Sequence, residues 1–324
     1  MISYNDIEAA AERIAPFARM TPLLTHQALD AETGAKVFVK AESLQHFGAF
    51  KIRGAFNRLA AMSAQERAKG VLAFSSGNHA IAVAAASKHF GMRATIVMPA
   101  DAPKAKLDTT RGLGAEVVTY DRAGESREAI GARIADKGGM IIVPPFNDPF
   151  IAAGQGTVGR EIVAEIAPDI VIAPASGGGL VGGTAIAVHH AYPNAKVYAA
   201  EPQGHDDIVR SLASGRIEKN PPGIRSFCDA LMVDQMGDVT WEIAQKHLAG
   251  AVAVSDEEVR DAMRFAFRYL KLVLEPSGAI ALAALLSRKI EARGKSVAIV
   301  ASGGNVDPAL FAEVLQAGPE AAPL

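Results

Sequence analysis

Ile170-Val171-Ile172-Ala173-Pro174-Ala175-Ser176-Gly177-Gly178-Gly179-Leu180-Val181-Gly182-Gly183 decides how the rest of the chain is read. The first four residues form a short apolar run closed by proline, which reads as a strand buried on both faces. The alanine-rich stretch after the glycines reads as a helix. Between them, glycines without a Cβ let consecutive main-chain N–H groups converge on an anion, and the helix start adds a favourable dipole. The turn lacks the Gly-x-Gly-x-x-Gly spacing, and no Gly-Lys-Ser/Thr comes after it, which argues against a dinucleotide site and a P-loop. Taken alone, a plain strand-to-helix connection is the lesser alternative reading.

The same rhythm extends in both directions. Val37-Phe38-Val39, Val71 to Phe74, Thr95 to Met98, Val117 to Tyr120, Met140 to Val143, Val197 to Ala200 and Val297 to Ala301 all read as buried strands, each leading through turn residues into a helix. The chain is therefore expected to be α/β: two three-layer domains with mostly parallel sheets covered by helices. Residues 70–147 are expected to form the small, mobile, substrate-binding domain. Residues 1–69 and 148–324 would form the large, cofactor-binding one, with the ligand in the cleft between them. An opening helix is signalled by Asn5 and Glu8 as a capping box, and a late one by Ser255 and Glu258. On the late helix, Val259, Met263, Ala266, Phe267 and Leu270 read as a core-facing stripe.

Composition excludes several classes of function. The chain has 324 residues, 49% of them apolar, with 33 lysines and arginines against 35 acids, for a formal net charge of −2. Such a balance creates no field for nucleic acid or an anionic membrane, so a small molecule is the expected partner. The N-terminal residues lack a charged and apolar leader pattern, and no run is long enough to span a bilayer, so a cytoplasmic protein is expected. One cysteine, Cys228, rules out an internal disulfide framework and a cysteine cluster for zinc, and reads as a small buried hydrophobe.

Two more turns stand at the ends of strands. Phe74-Ser75-Ser76-Gly77-Asn78-His79-Ala80 gathers two hydroxyls, an amide and free helix N–H groups, a set suited to a carboxylate, although Ser76 or Asn78 could equally be a helix cap. Ala301-Ser302-Gly303-Gly304-Asn305 places a hydroxyl at the end of the last strand. It could meet a ring nitrogen without transferring a full charge, or be no more than a glycine turn. The reactive group comes from Ala49-Phe50-Lys51-Ile52-Arg53-Gly54. Desolvation between apolar neighbours lowers a lysine pKa and frees its amine as nucleophile and base. By itself Lys51 is an ordinary solvated cation, an account that Arg53 beside it also fits.

As a set, the lysine run, the Ser-Ser-Gly-Asn-His turn, the glycine-rich loop and the Ser-Gly-Gly-Asn turn resemble the serine/threonine dehydratase and serine racemase family. This is fold type II of the pyridoxal-phosphate enzymes, the tryptophan synthase beta-like class. The resemblance covers nearly the whole chain in order and spacing, including Thr21-Pro22-Leu23 and Ala153-Gly154-Gln155-Gly156-Thr157.

The resemblance implies an ammonia-lyase that dehydrates a small β-hydroxy-α-amino acid of the serine/threonine type to a 2-keto acid and ammonia. Lys51 would be the Schiff-base lysine holding pyridoxal 5'-phosphate and the base for the Cα proton, with Phe50 packed against the ring. Asn78 would meet the ring hydroxyl; Ser176, Gly177, Gly178, Gly179 and Leu180 would cradle the phosphate; Ser302 would face the pyridine nitrogen. A neutral partner there leaves that nitrogen unprotonated and favours β-elimination over transamination. Ser75, Ser76, Asn78 and His79 would grip the substrate carboxylate, and Ser76 could return a proton to Cα from the opposite face. Glu201, Asp207 and the main-chain carbonyl of His205 would surround magnesium or another divalent cation, a chemically sensible oxygen set.

The resemblance further implies a homodimer, and, since the chain ends soon after its last strand, no appended regulatory domain. Three departures from the family pattern bear on the substrate alone: Ser176 opening the glycine loop, Cys228-Asp229-Ala230, and Glu275-Pro276-Ser277-Gly278. Two rival activities remain within the family. A 3-hydroxyaspartate ammonia-lyase needs a cation for a second carboxylate, for which Arg127 is the candidate, and a serine racemase is the other. From outside it, a nucleotide-dependent oxidoreductase and a silent ligand sensor are the competing readings.

Overall fold

The computed structural model describes residues 2–75, 77–102, 104–121 and 124–317. In chain order its strands are β1 (Leu23–Leu24), β2 (Lys36–Lys40), β3 (Val71–Phe74), β4 (Ala94–Pro99), β5 (Glu116–Tyr120), β6 (Ile141–Ile142), β7 (Ile170–Pro174), β8 (Lys196–Pro202), β9 (Gly250–Val254) and β10 (Ser296–Val300). They form a six-stranded sheet ordered β1-β2-β10-β7-β8-β9 and a four-stranded sheet ordered β5-β4-β3-β6. Every pairing is parallel except β1 with β2. β4 and β7 are buried along their whole length, as continuous apolar strands between helical layers must be.

The ladder positions the chemistry. β10 pairs with β7, Ile299 opposite Ile172, so their carboxyl ends stand side by side and deliver Ser302 and Ser176 to one edge. In open parallel sheets ligands bind beyond that edge. The carboxyl end of β3 carries Ser75 and its turn, from the other sheet.

Four local expectations need correction. The first helix, Tyr4–Ile14, is capped by Ser3 with Asp6 instead of Asn5 with Glu8, because the chain turns helical before Asn5. β6 is limited to Ile141–Ile142 of the expected Met140–Val143. β9 is an additional strand: among its small residues only Val254 is fully buried, so it carries little apolar signal. After the Asp256–Phe265 helix, a wider π-type turn over Ala266–Leu270 shifts the helical face, leaving Phe267 45% exposed and outside the core. Cys228 is buried as expected. Among the described residues no helix is long and apolar enough to cross a membrane.

Candidate active site

Lys51 opens the helix Lys51–Ala60, and its approach is stitched to the end of β10. Ala49 bridges Gly303, and the Phe50 N–H donates to the Ser302 carbonyl at 3.1 Å. The lysine and the Ser302 hydroxyl are therefore carried by two backbone segments hydrogen-bonded to each other. The Lys51 amine donates to the Pro145 carbonyl at 2.9 Å and lies 5.2 Å from the Phe50 ring centroid. Burial lowers its pKa to about 8, so far more of it is the neutral nucleophile near neutral pH than in an exposed lysine.

The helix is anchored from behind by Arg53, which is 1% exposed and not a solvated cation. Its guanidinium donates to both oxygens of Glu42, at 2.8 and 2.7 Å, and to both of Glu161, at 2.6 and 2.9 Å. Lys40 also pairs with Glu161, and Thr21 bonds Glu42. One buried and one largely buried anion thus face two buried cations, which is the condition under which such charges are tolerated.

The glycine turn after β7 is shaped by close approaches. A Cβ on Gly177 would lie 2.1 Å from the Phe146 ring, and Gly178 takes φ +84°, a left-handed conformation that a side chain disfavours. The helix Gly179–Ala191 then begins, and its first return bond runs from Gly182 N–H to the Gly178 carbonyl. The N–H groups of Gly179, Leu180 and Val181 consequently have no intrahelical acceptor. Beside them the Ser176 hydroxyl is buried with no hydrogen-bond partner among the described residues. An orphaned donor at a helix start is what a bound phosphate would satisfy.

At the end of β3, Gly77 caps the helix Asn78–His89, and its N–H donates to the Ser75 hydroxyl at 3.2 Å. The Asn78 amide is clamped: it donates to Glu275 and accepts from Asn305 at 2.8 Å. His79 donates through Nε2 to the Val143 carbonyl at 3.0 Å, which fixes Nδ1 as the unprotonated nitrogen. Burial, aided by the Lys51 charge, lowers its pKa to about 3, so the ring is neutral and offers an anion no charge. Ser76 lies outside the described residues. Arg127 opens the helix Arg127–Gly138, its guanidinium 5.7 Å from the Phe74 ring centroid.

All these elements meet. Phe50, Lys51, Ser75, Asn78, His79, Arg127, Ser176, Gly177, Gly178, Gly179, Leu180 and Ser302 line a single cleft that draws on both sheets. Glu275 and Asn305, absent from the expected site residues, are the clamp on Asn78. Glu275 is buried, its pKa is raised chiefly by that burial, and its second oxygen is without a partner among the described residues.

The expected cation ligands stand apart from this cleft. Glu201, in β8, accepts from the N–H groups of Ile208 and Val209 at 3.1 and 2.9 Å. Asp207 accepts from the Asn220 amide at 2.6 Å and the Met236 N–H at 2.9 Å. Both are fully buried. Burial and then Asp207 raise the Glu201 pKa well above its usual range, and burial raises that of Asp207 to about 6. The His205 ring is engaged with the Ile224 carbonyl at 3.0 Å. Among the described residues no three His, Cys, Asp or Glu side chains gather as a metal cluster, so any cation here relies on two carboxylates and main-chain oxygen.

Residues 14–303 match the family described as pyridoxal-phosphate dependent enzyme. The chain belongs to this family. As a pyridoxal-phosphate enzyme it is 43% identical to the L-threo-3-hydroxyaspartate ammonia-lyase of a Pseudomonas species, over 97% of this chain and 98% of that one. It is 39% identical to the serine racemase of Schizosaccharomyces pombe, over 97% of each. Its fold superposes on the structure of maize serine racemase with a TM-score of 0.92 at 38% identity, covering 97% of both chains.

Proposed function

We propose that this pyridoxal-phosphate enzyme is an ammonia-lyase that converts a small β-hydroxy-α-amino acid, of the serine/threonine type, to a 2-keto acid and ammonia. The observation that carries this reading is the Lys51 amine, lowered to about pKa 8, in the same cleft as the orphaned Ser176 hydroxyl. A phosphate-bearing aldehyde suits both ends of that cleft: an amine for the carbonyl, and a hydroxyl with a helix N-terminus for the phosphate. The cofactor supplies the electron sink for the bond broken at Cα.

The chain's own residues do the rest. Ser176 to Leu180 would hold the phosphate, Phe50 would flank the ring, and Asn78 would meet the ring hydroxyl from within its Glu275–Asn305 clamp. Ser302 would meet the ring nitrogen as a neutral hydroxyl, a partner that would leave that nitrogen unprotonated and favour elimination. The substrate carboxylate sits on Ser75, Ser76 and the first N–H groups of the Asn78–His89 helix, His79 contributing its main chain since its ring is neutral. Lys51 removes the Cα proton as base. The β-hydroxyl leaves as water, and hydrolysis of the released product yields the keto acid and ammonia. Ser76 is assigned the proton on the opposite face, which would permit racemisation.

A divalent cation, magnesium or similar, fits Glu201, Asp207 and the His205 carbonyl. Two carboxylates whose ionisation burial makes costly, Glu201 further so beside Asp207, invite a hard cation with oxygen ligands. Residues 70–147 are assigned as the mobile substrate-binding lobe of a cytoplasmic homodimer. Exposed Leu44, Phe47, Phe267 and Val273 are apolar surface consistent with a second copy.

A second reading, 3-hydroxyaspartate ammonia-lyase, is favoured by Arg127, a cation lining the cleft. Keto-acid release from serine, threonine and the 3-hydroxyaspartate diastereomers, with and without magnesium, tests both. Release from none of them would remove the proposal.

A further inference from the structure

Lys106 is an unusual lysine for a short surface helix. It stands on Lys104–Gly112, yet its side chain is only 11% exposed, and it pairs at 3.3 Å with Asp229. Its amine also lies 3.5 Å from where a Cβ on Gly77 would stand. Gly77 and Asp229 both line the cofactor cleft and come from different elements, Gly77 lying just beyond β3 and Asp229 in the turn Asp229–Leu231. The ammonium therefore sits beside two residues that line the cleft. A second cavity, lined by Lys106 and Thr109, shares Asp229 and Glu275 with the first.

The charge count around Lys106 is uneven. One lysine faces two protein carboxylates, Asp229 directly and the buried Glu275 through its field. The Lys106–Asp229 contact is longer than the roughly 2.7–2.9 Å of a well-made charge-assisted bond. Asp229 is presented by a turn that the Ala230 N–H fixes to the Ser277 hydroxyl at 3.1 Å, so the acid's backbone is anchored while its side chain faces the cleft. A carboxylate placed beside Gly77 and Asp229 would compete with Asp229 for the same cation.

We propose that Lys106 is a specificity-determining residue that exchanges Asp229 for the second carboxylate of a dicarboxylic β-hydroxy-amino acid. This rests on the ammonia-lyase reading and deepens it by naming the substrate class. Asp229 neutralises the cation when the substrate side chain is uncharged and yields it when the side chain is an acid. Lys106 stands on a different element from Arg127, so the distal carboxylate would meet this cation as well as the one beside Phe74. Because Asp229 competes for the same ammonium, removing the aspartate should help the diacid, whereas removing the lysine should hurt it.

Lys106→Met, Lys106→Arg and Asp229→Asn, each loaded with pyridoxal phosphate, separate these effects. The measured quantity is the ratio of kcat/KM for 3-hydroxyaspartate to that for serine, together with the dissociation constant of succinate as an unreactive dicarboxylate. The methionine variant should lower the ratio about tenfold and weaken succinate similarly, mainly through KM, as loss of a largely buried cation facing a carboxylate does. The arginine variant should recover most of both. Asp229→Asn should raise the ratio and tighten succinate. Ratios and succinate affinities that stay constant, or that move the same way in Lys106→Met and Asp229→Asn, would overturn the exchange. If no hydroxy-amino acid is turned over, the lyase reading fails on its own, and the succinate arm still decides whether Lys106 receives a carboxylate.

Discussion

The Lys51 amine donates to the Pro145 carbonyl at 2.9 Å, which ties the start of its helix to the segment leaving β6 in the other sheet. The reactive nitrogen is thus held by a neutral acceptor, and burial alone lowers its pKa from 10.5 to about 8. In the cofactor-free protein, the folded chain gives up this proton near pH 8, while the unfolded chain keeps it until about pH 10.5. Between those values the unfolded state binds more protons, so stability climbs with pH. Urea unfolding of the cofactor-free wild type should show a steeper climb over that window than Lys51→Met, and parallel profiles would refute the assignment. Lys51→Ala should also cut turnover by at least about a hundredfold and abolish borohydride trapping of the cofactor.

The phosphate turn makes a separate prediction about affinity. Ser176→Ala removes the orphaned hydroxyl and leaves the backbone cradle in place, so cofactor binding should weaken by about 0.5–1.5 kcal/mol. Gly177→Ala is more severe, because its methyl group would stand 2.1 Å from the Phe146 ring and force that ring to move. Fluorescence titration with pyridoxal phosphate should rank the affinities wild type, Ser176→Ala, Gly177→Ala. Equal affinities would place the phosphate elsewhere.

What is legible in the sequence is what carries a local signal. Ser176, Ser302 and Ser75 each come just after a short apolar strand, and alternation of apolar runs with glycine turns marks such ends without any knowledge of contacts. The sheet layers are legible for the same reason. The clamp on Asn78 is not: Glu275 and Asn305 lie 197 and 227 residues along the chain, and polar pairs at that separation leave no periodicity. Arg53 reads as a solvated cation in its local context because its counterions, Glu42 and Glu161, are 11 and 108 residues away. β9 escapes the pattern since four of its five residues are only half-buried. Buried charge and edge strands are set by tertiary pairing, which a one-dimensional pattern does not contain.

Arg53 itself can be tested. With Lys40 it balances Glu42 and Glu161 in a buried set, so Arg53→Met leaves one carboxylate uncompensated. A loss of about 3–5 kcal/mol in denaturant unfolding is expected. Arg53→Lys keeps the charge but not the forked geometry that reaches both acids, and should fall between the two. Because Arg53 is on the first turn of the Lys51 helix, cofactor retention should decline in the same order. A methionine variant as stable as wild type would show that the cluster contributes nothing.

The pair Glu201 and Asp207 makes the last prediction. Both acids are fully buried, burial raises the cost of charge on each, and Asp207 raises it further on Glu201, so a hard divalent cation that binds them stabilises only the folded chain. At about 100 times its dissociation constant, magnesium should add about 2.7 kcal/mol, seen as a higher Tm that chelator reverses. Glu201→Ala removes one ligand and leaves the Ile208 and Val209 N–H groups without their acceptor, so its baseline stability should fall. The informative quantity is therefore the magnesium-dependent increment, which should vanish in that variant and in Asp207→Ala. An increment that survives both substitutions would locate the cation elsewhere in the fold, and the absence of any increment in wild type would remove the site.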